Sequence, residues 1–390
     1  MSGPARVRVN RRAVERVRSG HPWIFTSDVL DRGEAQPGDA VAVVDGAGHA
    51  LGTAHYSSTS QICLRMLSER LLTVDGAFIA ERLGEAAMWR ERVVSDTTAY
   101  RLVHGEGDRL PGLVIDHYGD SFVIQTLSQG MDRLKNDIAA VLTERFGATG
   151  VIARNDAMVR QRESLPLETA VLAGEIPEIA TIQMNGFRLE ADLAHGQKTG
   201  VFLDQRENYL AAARYARGNA LDCFTFTGGF ALHMAARCES VEAVDSSAPA
   251  LERARRNAEA NGAGNVSFRE ADVFELLSGY ASARRRFSTI ILDPPAFAKS
   301  RASLEGAVRG YKDINLRALR LLGPGGILVT CSCSHHLSEA AFLQLLAEAA
   351  LDAGRTLRVA ERLTQARDHP ILLTVPETHY LKCVIVEVVN

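Results

Sequence analysis

Hydrophobic and polar positions along the chain fall into three regimes. Between residues 1 and 74, short apolar stretches (Ala40–Val44, Ala50–Tyr56 and Ile62–Met66) alternate with turn signals at Gln36-Pro37-Gly38-Asp39, Asp45-Gly46 and Ala47-Gly48. Strands this short and closely spaced predict a small β-barrel or sandwich. A short helix over Arg11–Arg18, ending at Gly20, precedes them. Residues 75–189 mix two periods. Val74–Val94 repeats at helical spacing, and Asp132–Phe146 predicts a second helix. Leu113–His117 and Phe122–Gln125 read as strands joined by the hairpin signal Tyr118-Gly119-Asp120, and Gly150–Arg154 as a further strand before a polar stretch. A small α+β unit is expected there.

From about Phe187 strands and helices alternate. Strands are predicted at Ala220–Phe224, Ser240–Val244, Val266–Arg269, Thr289–Leu292 and Gly326–Ser332, with helices at Gly229–Arg237, Ala248–Asn261, Val273–Ser278 and Leu304–Leu322. Alternation of this kind predicts an α/β fold, a parallel sheet covered on both faces, with ligands beyond the carboxyl ends of the strands. The expected domains are therefore 1–74, 75–189 and 190–390.

Length and composition narrow the class. At 390 residues, 46% hydrophobic and 23% charged, the chain is too long for one ordinary core and too apolar for disorder. No apolar run approaches the ~20 residues of a membrane helix, and the start (MSGPARVRVNRR) lacks the apolar core of a signal peptide. A cytoplasmic protein without a membrane partner is expected. Six cysteines, with only Cys331 and Cys333 close together, suit neither a disulfide framework nor a zinc site, and no metal is expected. The net charge of −3 hides a basic start, where Arg6, Arg8, Arg11, Arg12, Arg16 and Arg18 face one acid, Glu15. That run suits a polyanion contact or a solvated helix face.

The chemistry-bearing motifs sit at predicted strand ends. In Leu221-Asp222-Cys223-Phe224-Thr225-Phe226-Thr227-Gly228-Gly229-Phe230 a strand ends, a loop with paired glycines follows and a helix starts. Small residues there let a ligand approach the backbone, but the G-x-G-x-x-G dinucleotide fingerprint is missing. Asp245, seventeen positions beyond Gly228, ends the next strand and is placed to accept from ribose hydroxyls; Asp272, after the third strand, could accept from an adenine amino group. Each acid alone is also a common helix N-cap. Together, on successive strand ends, they favour a ribose-adenine ligand.

This pattern resembles the class I S-adenosylmethionine-dependent methyltransferases, and Ile290-Ile291-Leu292-Asp293-Pro294-Pro295-Ala296-Phe297 resembles their fourth motif. Asp-Pro-Pro-x-Phe has relatives that methylate exocyclic amines. The discriminating stretch is Val329-Thr330-Cys331-Ser332-Cys333-Ser334. Carbon 5 of a pyrimidine is a poor nucleophile until a thiolate adds to carbon 6, so a cysteine at a strand end beside the methyl donor suits that route. Buried filler is the plainer reading for Cys63, Cys223, Cys238 and Cys383.

Over nearly all 390 residues the sequence resembles the ribosomal large-subunit RNA (cytosine-5)-methyltransferase I family. The stretches that carry the resemblance are Gly20-His21-Pro22-Trp23-Ile24-Phe25, Gly107-Asp108-Arg109-Leu110-Pro111-Gly112-Leu113, the block Gly196–Arg206 (GQKTGVFLDQR), Asp368-His369-Pro370 and Tyr380-Leu381-Lys382. The resemblance implies an N-terminal PUA-type RNA-binding barrel, a small α+β linking domain and a Rossmann-like methyltransferase domain. It implies S-adenosyl-L-methionine as cofactor, large-subunit ribosomal RNA as partner and a homodimer. Lys198, Thr199, Asp204 and Arg206 would help enclose the cofactor. Phe224, Thr225 and Gly228 would line its loop, and Asp245, Asp272 and Asp293 would contact ribose, adenine and the methyl-donor region. Asp204 with Glu207 also reads as a capping box for a helix Gln205–Tyr215. The catalytic cysteine falls in Ser332-Cys333-Ser334, with Asp293 supporting the base; Cys331, two positions earlier on the same strand face, is a second candidate thiol. The resemblance leaves the group that takes the carbon-5 proton unassigned. Trp23 and Phe25 are expected in the core, with base stacking as the alternative. The rival readings are a guanine-amine methyltransferase on the same scaffold and a non-catalytic RNA-binding assembly factor.

Overall fold

The computed structural model describes residues 3–196, 200–297 and 304–390. The chain folds as two compact units. One takes in the chain up to Gln183 together with Ala191–Leu203 and Arg367–Thr378; the other takes in Met184–Glu190, Asp204–Ala366 and His379–Asn390.

The first unit holds two sheets. Strands β1 (Arg6–Val9), β2 (Trp23–Phe25), β3 (Val29–Asp31), β4 (Ala40–Val44), β5 (Ala50–Tyr56) and β6 (Ile62–Ser68) form a six-stranded sheet in the order β2-β6-β5-β4-β1-β3. Helix α1 (Arg11–Arg18) starts where the Asn10 side chain accepts from the Ala13 amide, and it buries Ala13, Val14 and Val17. Its arginines serve different ends. Arg16 pairs at 2.6 Å with Asp28, which is 2% exposed, whereas Arg11 pairs with Glu15 in solvent. Burial alone would raise Asp28, but hydrogen bonds from Arg16 and Asn10 hold it below the usual carboxylate range.

The core expectation for Trp23 and Phe25 does not hold. Ile24 is the buried residue of β2, and the alternation of a strand turns both aromatics to the other face, half-exposed. There Trp23 Nε1 donates to Glu106 at 2.8 Å and Arg16 lies over the Phe25 ring.

The second sheet, in the order β11-β10-β9-β8-β7, comprises β7 (Ala99–His104), β8 (Leu113–Tyr118), β9 (Ser121–Thr126), β10 (Gly150–Asn155) and β11 (Glu168–Gly174). Helix α2 (Gly76–Val93), capped by Asp75, packs on it. The single helix expected over Asp132–Phe146 is two, α3 (Gln129–Arg133) and α4 (Lys135–Phe146), divided at Leu134. Ser128, which caps α3 by accepting from Met131, starts the helical path earlier than the apolar pattern indicates. The polar stretch after β10 contains a strand, β11, whose half-exposed alternation left little hydrophobic signal. Arg90 of α2 is fully buried with both carboxylate oxygens of Asp108, and Arg90 Nη2 donates to the Asp368 carbonyl at 2.7 Å.

A hairpin of β12 (Ala180–Met184) and β13 (Phe187–Ala191) precedes the second unit's main sheet. That sheet runs β16-β15-β14-β17-β18-β20-β19, from β14 (Asn219–Cys223), β15 (Ser240–Asp245), β16 (Val266–Glu270), β17 (Phe287–Leu292), β18 (Leu322–Ser332), β19 (Leu357–Leu363) and β20 (Lys382–Val388). The first five are parallel, as the alternation predicts; β20 inserts antiparallel between β18 and β19 and corrects the expectation of a wholly parallel sheet. Helices α5 (Arg206–Tyr215), α6 (Gly229–Ala235), α7 (Ala248–Ala260), α8 (Val273–Ser282), α9 (Leu304–Leu321) and α10 (Glu339–Asp352) complete the unit. Leu221, Ile290, Leu292, Leu328, Val384 and Val386 are at most 1% exposed and pack with α8, α9 and α10 into one core, so the carboxyl ends of the strands are held rigidly.

Candidate active site

The second unit gathers the motif residues at the carboxyl edge of the parallel strands. After β14 the chain makes a tight loop in which Phe224 (φ 64°) and Phe226 (φ 51°) both adopt the left-handed region, on either side of Thr225. Such conformations cost on the order of 1–3 kcal/mol each in non-glycine residues and persist only when neighbours hold them. The holding contacts are Thr225 N–H to the Val244 carbonyl (2.9 Å), Thr225 Oγ1 to Asp222 Oδ2 (2.6 Å) and Phe226 N–H to Asp245 Oδ2 (2.9 Å). The paired glycines have separate reasons. Gly228 is left-handed (φ 87°) at the helix N-cap, whereas a Cβ on Gly229 would sit 2.5 Å from the Tyr209 ring. Close packing by the chain itself, rather than room for a ligand, therefore accounts for Gly229.

The acids behave differently from one another. Asp245, half-buried, does not cap α7, a task taken by Ser247; it accepts from the amides of Phe226 and Ser247. Asp272 is exposed and does cap α8, accepting from Glu275. Asp293 follows β17, half-buried, and its amide approaches the Cys223 carbonyl. A carboxylate offers roughly four acceptor positions, so Asp245 and Asp272 retain acceptor capacity on successive strand ends. This fits the hydroxyl and amino donors of a ribose-adenine cofactor.

Asp222, in the motif but assigned no role from sequence, is fully buried. Burial pushes its carboxyl up to about 7, opposed by the hydrogen bonds from Thr225 and Ala231 and reinforced by Asp293 and Asp245. Its Oδ1 has no hydrogen-bond partner among the described residues.

Asp204 is buried and accepts from the Tyr380 hydroxyl at 2.7 Å. The capping-box expectation fails: the N-cap of α5 is Gln205, without a side-chain cap bond among the described residues. Arg206 is buried and paired with Glu207 at 3.0 Å. Lys198 and Thr199 lie outside the described residues.

The two candidate thiols separate clearly. Cys331 is 0% exposed; burial, with Cys383 beside it, pushes its thiol well above the ordinary value. Cys333 lies just beyond the end of β18 and is half-exposed. Around it, Tyr311 of α9 shares a hydrogen bond with Ser334 at 3.0 Å, and Lys382 at the start of β20 donates to the Ser334 carbonyl at 2.7 Å. Phe297, the aromatic of the Asp-Pro-Pro-Ala-Phe motif, packs against Tyr311 at 4.6 Å between ring centroids.

Comparison with known proteins identifies the family. Residues 126–384 match the family model of S-adenosylmethionine-dependent methyltransferases, and residues 7–69 match that of PUA-like domains. The chain is 43% identical over 377 residues to the ribosomal RNA large subunit methyltransferase I of Shewanella amazonensis, covering 94% of this chain and 95% of the relative. It is 41% identical over 371 residues to that of Klebsiella pneumoniae, covering 93% of each. The chain belongs to the ribosomal RNA large subunit methyltransferase I family. Its cofactor is S-adenosylmethionine. A SAM-dependent methyltransferase candidate from Streptococcus mutans shares the fold with a TM-score of 0.84 at 21% identity, over 98% of this chain and all of that one. A methyltransferase candidate complexed with SAH superposes equally well (TM-score 0.85, 20% identity, 98% of this chain, 100% of that one). Among the described residues no helix is long and apolar enough to cross a membrane, and no group of histidines, cysteines and acids has metal-binding geometry.

Proposed function

We propose that this enzyme methylates carbon 5 of a cytosine in large-subunit ribosomal RNA through a covalent adduct with Cys333. The observation that carries the reading is the contrast between the two strand-end thiols: Cys331 is sealed in the sheet and Cys333 is reachable. S-adenosylmethionine supplies an electrophilic methyl group. Asp245 and Asp272 would hold the ribose and adenine, while Asp204, Arg206, Phe224, Thr225 and Gly228 shape the surround, together with Lys198 and Thr199. The thiolate of Cys333 adds to carbon 6, and Asp293 supports the adduct through base N3. Carbon 5 would then take the methyl group as the bond from that methyl to the sulfonium sulfur breaks, the sulfur keeping the electron pair, and would lose its proton to a base; re-forming the carbon 5–carbon 6 double bond expels the thiolate.

The target base must leave its stack, which costs a few kcal/mol and least in loops. Residues 1–74 would act as the RNA-binding barrel, 75–189 as the linking domain and 190–390 as the catalytic domain. Phosphate contacts from Arg6, Arg8, Arg11 and Arg12 would make binding salt-dependent.

The test is nucleoside mass spectrometry of large-subunit RNA incubated with the wild type and with Cys333→Ala. Loss of 5-methylcytidine in the variant supports the reading. Product that persists, or a methylated guanine amine made equally by both proteins, refutes it.

A further inference from the structure

Lys382, at the start of β20, has its side chain sealed from water, at 3% exposure. A buried ammonium is costly unless its donors are used. Two are used, on the Ser334 carbonyl at 2.7 Å and the Tyr380 carbonyl at 2.8 Å. The first acceptor belongs to the residue next to Cys333. The antiparallel register fixes this meeting: Ser332 lies opposite Lys382 and Cys331 opposite Cys383, so the ammonium stands beside the turn that carries Cys333.

We infer that Lys382 is the positioning cation of the nucleophile, pinning the Cys333 turn through the Ser334 carbonyl and holding Cys333 as a thiolate. This rests on the reading of Cys333 as the attacking thiol. The equilibrium involved is a simple ionisation: the Cys333 S–H bond breaks, the sulfur keeps the electron pair and the proton passes to solvent, while Lys382 remains an ammonium.

Facing Lys382 are Cys333 and, from the first turn of α10, Glu339; burial lowers the lysine to about 8, and these two groups oppose that fall. The lysine therefore stays largely cationic at neutral pH. Facing Cys333 from α9 is Tyr311, which burial pushes upward, with Cys333 adding to the rise, so the phenol stays neutral. His335, whose ring lies 5.3 Å from that of Tyr380, and exposed His336 are the remaining titratable groups on the turn. A cation beside a cysteine is what lowers a thiol's pKa in reactive sites.

The experiment is the pH dependence of iodoacetamide alkylation at Cys333, read by peptide mass spectrometry on the full-length protein. Sealed Cys331 and Cys383 serve as internal unreactive controls. In the wild type the midpoint should lie below the ordinary thiol value of about 8.5. In Lys382→Gln, which can still donate to both carbonyls, it should rise by about one pH unit, slowing alkylation at neutral pH about tenfold. Lys382→Arg should restore the wild-type profile. Coincident profiles for wild type and Lys382→Gln overturn the inference, and so does a wild-type midpoint at or above about 8.5, whether or not the variants fold. If the profiles shift as expected but Cys333→Ala still yields product, the adduct reading fails while the electrostatic pairing stands. If Cys333→Ala abolishes product and the profiles coincide, only the role of Lys382 falls.

Discussion

Replacing Asp222 with asparagine should make the methyltransferase unit more stable, and the gain should depend on pH. The Asp222 carboxyl lies at 0% exposure at the end of β14, raised by burial from an ordinary 3.8 to about 7. At about 1.36 kcal/mol per pK unit, that gap is worth on the order of 4 kcal/mol. The folded chain binds the proton more tightly than the unfolded chain, so wild-type stability is fully present below pH 3.8 and is lost as pH rises through about 7. Asparagine resembles the protonated acid: its carbonyl can accept from Thr225 Oγ1 and the Ala231 amide as Asp222 Oδ2 does. Its amide would take the place of Oδ1, which has no partner among the described residues in either case. Asp222→Asn should therefore gain roughly 2–4 kcal/mol at pH 8 and less than half of that at pH 5. Fluorescence would miss the effect, since Trp23 and Trp89 both belong to the other unit. Hydrogen exchange of residues 219–235, corrected for intrinsic rates at each pH, reads the relevant strand and helix directly. A variant no more stable than wild type at pH 8, or one whose advantage does not shrink at pH 5, would refute the reasoning.

Two further outcomes follow from burial. Cys331→Ala should leave 5-methylcytidine formation intact and cost about 1 kcal/mol, because the thiol is packed against Cys383 rather than exposed; loss of product from a folded variant would transfer the catalytic role to Cys331. Arg90→Met should cost about 3–5 kcal/mol by stranding the Asp108 carboxylate, which is 6% exposed. Urea denaturation followed by tryptophan fluorescence detects this, since Trp89 neighbours Arg90 on α2, and an unchanged midpoint would count against the buried pair.

The central parallel strands β14, β17 and β18 were legible because they are buried on both faces and read as short apolar runs between helical segments, whereas the edge strand β16 has no buried residue and showed only through its place in the alternation. The strand Phe287–Leu292 and the acid after it needed no long-range information. Helix α10 carries an equally local signal that the strand–helix alternation above does not include, Ser338 as cap and then buried Phe342, Leu345, Leu346, Ala349 and Ala350 at helical spacing. Other features lay beyond local reasoning. Tyr380 and Lys382 stood out only as part of a motif, and their partners, Asp204 and the Ser334 carbonyl, lie 176 and 48 positions away. Such meetings depend on which strand pairs with which and in what register. Asp222 was visible as a residue but not as a perturbed acid, since its pKa is set by enclosure and by Asp293 and Asp245 on neighbouring strand ends.

The insertion of β20 links these observations. A parallel sheet alone would leave β18 with an open edge beside the reactive turn, and water would solvate the Cys333 loop from that side. With β20 paired antiparallel, Ser332 to Lys382 and Cys331 to Cys383, one side of that edge becomes a wall of buried residues, and its first residue brings the ammonium. The same pairing hides Cys331, so one feature of topology both buries one of two nearby thiols and sets the Lys382 ammonium on the carbonyl next to the other. Local sequence around the two cysteines is nearly symmetrical, each flanked by hydroxyl residues. The difference in burial comes from a strand some fifty positions later, which neither propensity nor spacing reveals without the sheet order.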